Sequence, residues 1–286
     1  MFIIPDYHVH TSYCGHAEGS ITQYVESAIL KGIKSIGFSD HLGRYYLNRN
    51  QRRKNWSWGM KDEDVERYFE EISSVREIYK NQINISIGLE IDYIEGAEEK
   101  AEKILRSLPF DFTLASIHCL PRFGWRHIGQ ITEIHPALIY TEYFKAARSA
   151  LKCGLFQSLA HLDFIWRYIP IPEKKKVNIF SEIEETVNES VKSSTALEIN
   201  SNAYSWSKIH RPQKDPFDFF LDRISECKKE ITVGSDAHSP VDVGNHFNEI
   251  GELLESKGIN AIVQFERFEA APVGLEVSNT VQIPRI

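Results

Sequence analysis

Short apolar and β-branched runs recur along the chain, separated by longer segments with apolar residues at three- and four-residue spacing. The runs predict β-strands, and the intervening periodicity predicts amphipathic helices. The seven main runs are Phe2–His8, Lys34–Ser39, Ile83–Glu90, Phe112–His118, Phe156–His161, Ala196–Asn200 and Ile231–Ser235, and a shorter one, Ala261–Phe265, could add a strand. Strand–helix alternation predicts an α/β fold with a mostly parallel sheet, which we interpret as a barrel.

Local signals and composition support one domain. Ser20 and Gln23 have the spacing of a capping box, and Gly32 then ends the helix that they begin. With 286 residues, 42% hydrophobic and 26% charged, the chain has the composition of a globular protein. Its length suits an α/β barrel, which commonly needs about 250 residues. Because no linker, repeat or change of composition interrupts the chain, we predict a single barrel domain over residues 1–286.

Charge and cysteine content exclude several classes of function. The formal net charge of −7 argues against nucleic acid as the main partner. No apolar run approaches the ~18–20 residues of a membrane span, and the first residues lack the pattern of a signal peptide. The four cysteines are far apart and form no CxxC pair. We therefore expect reduced thiols, a cytoplasmic location and no membrane partner.

The placement of the histidines is the most informative feature of the sequence. Six of the seven main runs end in, or within two residues of, a possible metal ligand: His8/His10, Asp40/His41, Glu90, His118, His161 and Asp236/His238. In a parallel barrel all strand C-termini open onto one face, where active sites are built. A lone histidine at a strand end is usually structural, but six such ends predict one shared site.

The residue types indicate which metals such a site would take. His8 and His10 have strand spacing, so both imidazoles project from the same face. Imidazole and carboxylate ligands together suit zinc, manganese or iron, whereas calcium and magnesium prefer oxygen ligands. Asp40, beside one predicted ligand, and Asp163, two residues after another, could orient an imidazole, bind metal themselves or only cap a turn.

The motifs at these strand ends match a known pattern. In chain order they are His8-x-His10, His16, Ser39-Asp40-His41, Gly88-Leu89-Glu90, Ser116-Ile117-His118, His161-Leu162-Asp163 and Gly234-Ser235-Asp236-Ala237-His238. Together they resemble the motifs of the PHP (polymerase and histidinol phosphatase) superfamily. The segments Cys14–Ser20, Glu90–Tyr93 and Phe265–Phe268 resemble its histidinol-phosphate phosphatase branch in particular. The resemblance runs in order over nearly the whole chain.

This resemblance implies a distorted (β/α)7 TIM-like barrel with a metal cluster at the C-terminal face of the strands. It implies up to three divalent or trivalent ions, which could be zinc, manganese or iron. Carried onto this sequence, the first metal takes His8, His10, Glu90 and Asp236, the second takes His16, His41 and His238, and the third takes His118 and His161 with Glu90 as a bridge. All nine positions hold the expected residue type.

A cluster of this kind predicts hydrolysis of a phosphate monoester. Clustered divalent ions neutralise the phosphate dianion and lower the pKa of a bridging water, so that hydroxide forms near neutral pH and attacks phosphorus in line. His238 or Asp163 could protonate the leaving alkoxide. The resemblance favours L-histidinol phosphate as the small phosphorylated substrate, within histidine biosynthesis. The sequence does not predict an oligomeric state.

Arginines are candidates for binding the phosphate group, because the guanidinium can bond it through two donors at once. Arg167, six residues past His161, is the first choice. Arg44, Arg122 and Arg126 lie in segments 42–60 and 120–133, which are too long for simple βα loops, and are weaker candidates.

One segment departs from the family pattern. After the sixth strand, histidinol-phosphate phosphatases typically read Glu-Ile-Asn-Thr-Ser-Gly-Leu/Trp-Arg, whereas this chain has Ser205 at the position of the arginine. Lys208, His210 or Arg211 could supply the missing charge from further along the loop. Alternatively, the substrate differs from histidinol phosphate.

The remaining histidines and cysteines fit structural roles. We expect His127, His135 and His246 to be caps or surface residues, because they lie outside the strand ends. Cys14 and Cys119 adjoin predicted ligands, and we expect both thiols to be buried rather than reactive.

Four functions are compatible with these observations. The leading one is a multi-metal histidinol phosphatase. The second is a PHP hydrolase acting on another phosphorylated metabolite or a short nucleotide. The third is an amidohydrolase barrel that cleaves C–N bonds, which also begins with His-x-His but often uses a modified lysine where this chain offers Glu90. The fourth is a metal-stabilised interaction module without activity, which the complete ligand motifs disfavour.

Overall fold

A computed structural model of the chain describes residues 2–43, 59–172, 177–202 and 216–277. Within these ranges the strands are β1 (Phe2–Ile3), β2 (Asp6–Val9), β3 (Ser35–Phe38), β4 (Asn84–Asp92), β5 (Phe112–Ser116), β6 (Cys119–Leu120), β7 (Arg126–His127), β8 (Ser158–Leu159), β9 (Ala196–Asn200), β10 (Ile231–Gly234), β11 (Ala261–Glu266), β12 (Glu269–Gly274) and β13 (Glu276–Val277). All seven main runs of the sequence contain a strand.

Seven of these strands form one parallel sheet in the order β2-β3-β4-β5-β8-β9-β10. The two outer strands then meet through a parallel bridge between Val9 and Ala237. The backbone N–H of His10 donates to the carbonyl of Ala237 over 2.9 Å, and the N–H of Ala237 donates to the carbonyl of His8 over 3.2 Å. The sheet thus curves into a nearly closed seven-stranded barrel, which confirms the predicted fold class.

The helices of the described residues are α1 (Ile21–Leu30), α2 (Val65–Tyr79), α3 (Glu98–Leu105), α4 (Pro136–Cys153), α5 (Ile179–Val191), α6 (Pro216–Cys227) and α7 (Phe247–Ser256). Helix α1 begins with the predicted capping box of Ser20 and Gln23, and Gly32 follows it at a φ of +73°. Each helix buries one face, as its periodicity predicts. Across these ranges no helix combines the length and apolar character that a membrane crossing requires.

Two predicted strands differ from expectation. The run Phe2–His8 is two strands: β1 pairs antiparallel with β13 outside the barrel, and β2 enters the barrel. Pro5 lies between them and has no N–H to donate to a strand ladder, so the run is interrupted there. The run Ala261–Phe265 forms β11, but it pairs antiparallel with β12 in a hairpin and adds no strand to the barrel.

The β11–β12 hairpin lies against the amino-terminal end of the barrel. The N–H of Phe265 donates to the Tyr7 hydroxyl over 3.1 Å, and the Tyr7 and Phe112 rings meet edge to face with centroids 5.1 Å apart. A Cβ at Gly37 or Gly88 would lie 2.8 or 2.6 Å from the Phe112 ring, so both glycines make room for it. Aromatic side chains therefore fill this end of the barrel.

The two long connections differ in what the structure describes. In segment 120–133, strands β6 and β7 form a short antiparallel ladder, and Arg122 and Arg126 pair with Glu142 and Glu133. Most of segment 42–60, with Arg44, lies outside the described residues.

Candidate metal centre

All nine predicted metal ligands lie among the described residues at the carboxyl ends of barrel strands or just beyond them. Strand β2 and the residue after it supply His8 and His10, the segment that follows supplies His16, β4 supplies Glu90, and the segments after β3, β5, β8 and β10 supply the others. The set is His8, His10, His16, His41, Glu90, His118, His161, Asp236 and His238. Because barrel strands are parallel, residues more than 200 positions apart converge in one cup.

Glu90 stands at the centre of this cup and is 1% exposed. One carboxylate oxygen, Oε2, lies 2.7 Å from Nδ1 of His41 and 3.2 Å from Nε2 of His8. The other, Oε1, lies 3.0 Å from Nε2 of His161 and 3.4 Å from Nε2 of His118. The two oxygens thus face two different groups of imidazoles, which is the arrangement that a bridging carboxylate needs.

Asp236 is the second carboxylate of the cup. Its Oδ1 lies 3.1 Å from Nε2 of His10 and 3.6 Å from Nε2 of His8. Burial opposes ionisation of both carboxyls, but the neighbouring histidines hold the pKa of Asp236 and the pKa of Glu90 well below their ordinary values. The cup therefore presents two ionised carboxylates to a cation.

His16, His41 and His238 form a second group beside Asp236. Ring centroids are 4.5 Å apart for His16 and His238 and 5.4 Å apart for His16 and His41. Burial lowers the pKa of His41 to about 4 and also lowers the pKa of His16. Both imidazoles are therefore neutral near pH 7, which is the form that binds metal.

Several ring nitrogens of the cup are buried without a hydrogen bond. Among the described residues, Nδ1 of His10, Nδ1 of His161 and Nε2 of His238 have no hydrogen-bond partner. Buried polar atoms are nearly always satisfied in native proteins, so each one needs an explanation. Sets of three possible ligand atoms lie within 4.8 Å of one another, among them His8/His10/Asp236, His8/Glu90/His161 and His10/His41/His238. The donor set therefore fits metal ions.

The second nitrogens of several imidazoles have acceptors that fix the ring. Nδ1 of His238 lies 2.9 Å from the carbonyl oxygen of Asp236, and Nδ1 of His16 lies 3.2 Å from that of Cys14. A proton held on Nδ1 leaves the lone pair on Nε2 for a ligand. The chain thus sets the tautomer of these rings through nearby backbone.

Glu198 is a site residue that sequence reasoning missed. It lies in β9, and its Oε1 is 2.6 Å from Nδ1 of His8. The run Ala196–Asn200 was the one main run without a predicted ligand at its end. The available signal was strand periodicity, because Glu198 and Asn200 are two residues apart and share a face.

Asp40 and Asp163 are both buried beside the cup. Asp40 accepts hydrogen bonds from the backbone N–H groups of Thr11 and Cys14, at 2.9 and 3.0 Å, and from the Thr11 hydroxyl. Its hydrogen bonds thus fix the loop that leads to His16. Of the three roles considered for Asp40, these contacts match the capping of a turn. Burial raises the pKa of Asp40 and the pKa of Asp163 to about 7.

A cavity of about 570 Å³ opens above the cup. Its lining includes His16, His41, His118, His161, Asp236 and His238 from the predicted ligands, together with Gly15, His127, Phe164, Arg167, Tyr168 and Asn202. Arg167 lies in the wall with its guanidinium carbon 5.3 Å from the Tyr168 ring centroid. The cluster of predicted ligands therefore forms the floor of a pocket large enough for a small metabolite.

The other histidines and the cysteines mostly fill the roles expected of them. His127 caps a short turn by accepting the N–H of Gly129, His135 caps α4 by accepting the N–H of Ala137, and Cys14 and Cys119 are buried. His127 also lines the cavity, because the β6–β7 ladder brings it to the cavity wall. Its sequence context did not indicate this location.

Several candidates for binding substrate fall outside the described residues. These are Arg44, Ser205, Lys208, His210 and Arg211. Arg122 and Arg126, the weaker candidates in segment 120–133, pair with glutamates and do not line the cavity. Arg167 is thus the described arginine that lines the cavity.

Comparison with known proteins identifies the family to which this chain belongs. The family model described as the PHP domain matches residues 6–202. The chain therefore belongs to the PHP family, as its ordered motifs indicate.

The relatives are named phosphatases. The chain is 27% identical over 258 residues to the probable histidinol-phosphatase of Deinococcus radiodurans, which covers 88% of this chain and 93% of the relative. It is 26% identical over 278 residues to the histidinol-phosphatase of Lactococcus lactis, covering 91% and 93% of the two chains. The crystal structure of the Lactococcus lactis histidinol phosphate phosphatase, complexed with zinc, L-histidinol and phosphate, matches with a TM-score of 0.76 at 23% identity, covering 94% of this chain and 99% of that chain. This likeness shows the same fold.

Proposed function

We propose that this protein is a metal-dependent phosphatase that hydrolyses L-histidinol phosphate to L-histidinol. The observation that carries the proposal is the cup of imidazoles around Glu90, which forms the floor of a 570 Å³ cavity with Arg167 in its wall. The histidinol-phosphatase names of the relatives support the choice of substrate. L-histidinol and phosphate in the similar crystal structure support a small phosphorylated ligand.

The proposed ligand sets follow the family pattern. They are His8, His10, Glu90 and Asp236 for the first ion, His16, His41 and His238 for the second, and His118 and His161 with Glu90 as a bridge for the third. Zinc, manganese or iron would suit these shells, and zinc in the similar structure favours zinc. When bound, such ions neutralise a phosphate dianion and make water more acidic.

The chain's own residues would bind the substrate and move protons. Arg167 in the cavity wall would hold phosphate oxygens through its paired donors. Water adds to phosphorus as the ester bond to the alcohol breaks, and the leaving alkoxide takes a proton. His238 lines the cavity whereas Asp163, 4% exposed, does not; because the Nε2 lone pair of His238 is assigned to the second ion, His238 and Asp163 both stay candidates for the proton donor.

The substrate would place the enzyme in histidine biosynthesis. A cytoplasmic location and a single-domain organisation stay predictions, as does the absence of membrane and nucleic-acid partners. Lys208 and Arg211 stay candidates for supplying a second positive charge to the substrate.

Phosphate release tests the proposal directly. Metal-stripped protein would be reconstituted with zinc, manganese or iron and given L-histidinol phosphate beside a panel of phosphate monoesters and short oligonucleotides. We expect metal-dependent release that is fastest with L-histidinol phosphate and lost in His8→Ala. His135→Ala is the matched control, because His135 caps α4 away from the cavity and its loss should leave activity unchanged. No release with any metal, despite bound ions, would overturn the proposal.

The departure at Ser205 favours a second candidate, a PHP phosphatase for another phosphorylated metabolite. Without the arginine that the branch typically carries, selectivity for histidinol phosphate would have to come from other groups. Selective release from a different ester in the same panel would decide for this candidate.

A further inference from the structure

Glu198 is placed between two metal-binding segments that are distant in sequence. Its carboxylate is 1% exposed, and each oxygen has its own partner. Oε1 lies 2.6 Å from Nδ1 of His8, while Oε2 accepts the backbone N–H of His161 over 2.8 Å. The side-chain amide of Asn200 also donates to Oε2, over 3.4 Å. A single buried carboxylate thus contacts residues of two ligand sets.

The contact with His8 decides which ring nitrogen faces the cup. Because the carboxylate accepts the proton on Nδ1, the lone pair of Nε2 points away from Glu198. That Nε2 lies 3.2 Å from Oε2 of Glu90 and 3.6 Å from Oδ1 of Asp236. A carboxylate behind a ligating imidazole fixes its tautomer and raises its basicity as a ligand.

The contact with His161 fixes a backbone conformation. His161 has a φ of +25°, a region that non-glycine residues rarely adopt. The bond from its N–H to Glu198 holds this peptide in place, and the imidazole then reaches Oε1 of Glu90 over 3.0 Å. This bond offsets part of the cost of the conformation, together with the Tyr143 hydroxyl, which donates to the carbonyl of His161 over 3.2 Å.

Gly234 makes room for this carboxylate. A Cβ at position 234 would lie 2.3 Å from Cβ of His8 and 2.5 Å from Oε1 of Glu198. Its place in β10, next to β9, leaves the space that the His8–Glu198 pair occupies. The absence of a side chain at Gly234 is thus a second, independent observation that the His8–Glu198 pair belongs to the site.

We infer that Glu198 is a positioning residue that sets the tautomer of His8 and the peptide orientation of His161, so that the first and third metal subsites form together. The inference rests on the ligand sets of the proposed function. It predicts that a change at Glu198 weakens two subsites at once, although Glu198 is not a metal ligand in either.

The test uses full-length Glu198→Gln, because an amide cannot accept from both His8 and His161 through two ionised oxygens. Zinc content by elemental analysis and zinc affinity by competition with a chromophoric chelator would be measured beside the wild type. We expect affinity at two of the three subsites to fall about 10- to 100-fold. Nitrogen-15 NMR of the histidine rings should show that His8 loses its single tautomer.

Matched variants keep the test decisive. Asp92→Asn is the control, since Asp92 accepts the backbone N–H of His118 over 3.1 Å and should affect the third subsite alone. Glu198→Asp retains the charge, so its zinc affinity should lie between those of the wild type and Glu198→Gln. This variant replaces Glu198→Gln in the test if the amide variant does not fold. Wild-type zinc affinity and an unchanged His8 tautomer in the Glu198 variants would overturn the inference. Zinc binding by a wild type that releases no phosphate would instead overturn only the proposed function.

Discussion

At the carboxyl end of the barrel the strands deliver imidazoles and carboxylates into a solvent-open cup, whereas at the amino end aromatic rings and a hairpin fill the interior. The same strands serve both ends: β2 carries Tyr7 and His8, and β4 carries Gly88 and Glu90. Several buried ring nitrogens at the carboxyl end have no hydrogen-bond partner among the described residues, while an apolar cluster that includes Tyr7, Phe112 and Phe265 packs at the amino end. The carboxyl end therefore carries groups that fit metal ions, and the amino end carries packing that stabilises the fold.

This contrast predicts that substitutions at the two ends separate stability from metal binding. At the amino end, removing a ring should destabilise the fold while the folded fraction keeps its metal. At the carboxyl end, removing a ligand should abolish metal binding while the barrel stays folded. The physical reason is that the apolar packing at the amino end involves no group of the cup, whereas the proposed metal ions would offset the clustered charges of the cup.

The largest effect is expected from Phe112→Ala at the amino end. The ring fills space that Gly37 and Gly88 leave open, so its loss creates a cavity and should lower the free energy of unfolding by about 3–5 kcal/mol. Denaturant unfolding measures the change. Phe268→Ala, at a half-exposed position in the same hairpin, should stay within about 0.5 kcal/mol of wild type. Equal effects of both variants would contradict the packing role of Phe112.

Glu90→Gln should have the largest effect at the carboxyl end. Both groups of imidazoles face this charge, so its removal should reduce metal-dependent activity by at least about 100-fold. This exceeds the effect expected when a residue that only supports a metal ligand is changed. Zinc content and phosphate release measure it. The control is Asp111→Asn near the amino end, where Asp111 pairs with Arg76 and accepts the Ile87 N–H; it should reduce stability but not zinc content. Full zinc occupancy in Glu90→Gln would refute the central role of this carboxylate.

Tyr7→Phe tests the attachment of the hairpin. The variant leaves the buried N–H of Phe265 without its acceptor and should lower stability by about 1–3 kcal/mol. Thermal or denaturant unfolding gives the difference, and Tyr79→Phe, whose hydroxyl makes an exposed bond to Glu26, is the matched control. If metal binding fell and stability did not, the separation of the two ends would be wrong.

Arg167→Gln should have the smallest effect, confined to substrate binding. Loss of a charged donor to phosphate should raise KM for the substrate about tenfold, near the lower limit for hydrogen bonds to charged groups. Steady-state kinetics at full metal occupancy measures the change. Arg122→Gln removes an arginine that pairs with Glu142 outside the cavity, so its KM should match wild type. An unchanged KM in Arg167→Gln would remove Arg167 from the substrate site.

Periodicity and residue type predict most of this molecule. Strand runs ending in histidine or carboxylate indicated the barrel and the face that carries the cup, because parallel strands deliver their ends to the same side. The capping box at Ser20 and the buried thiols of Cys14 and Cys119 were equally local properties. Roles for single residues stay proposals, since residue type alone does not distinguish a ligand from a neighbour of a ligand.

Tertiary structure decided what depends on closure of the barrel. Asp6 and Val9 of β2 pair with Ile36 and Phe38 of β3, so β2 has one more residue than β3 between the two pairs. The side chains of Tyr7 and His8, which lie in this irregular stretch, extend towards opposite ends of the barrel although the residues are adjacent. The contact of Glu198 with His8 joins residues 190 positions apart. No local pattern encodes such a contact, because it exists only when β2 and β10 meet and bring β9 behind the cup.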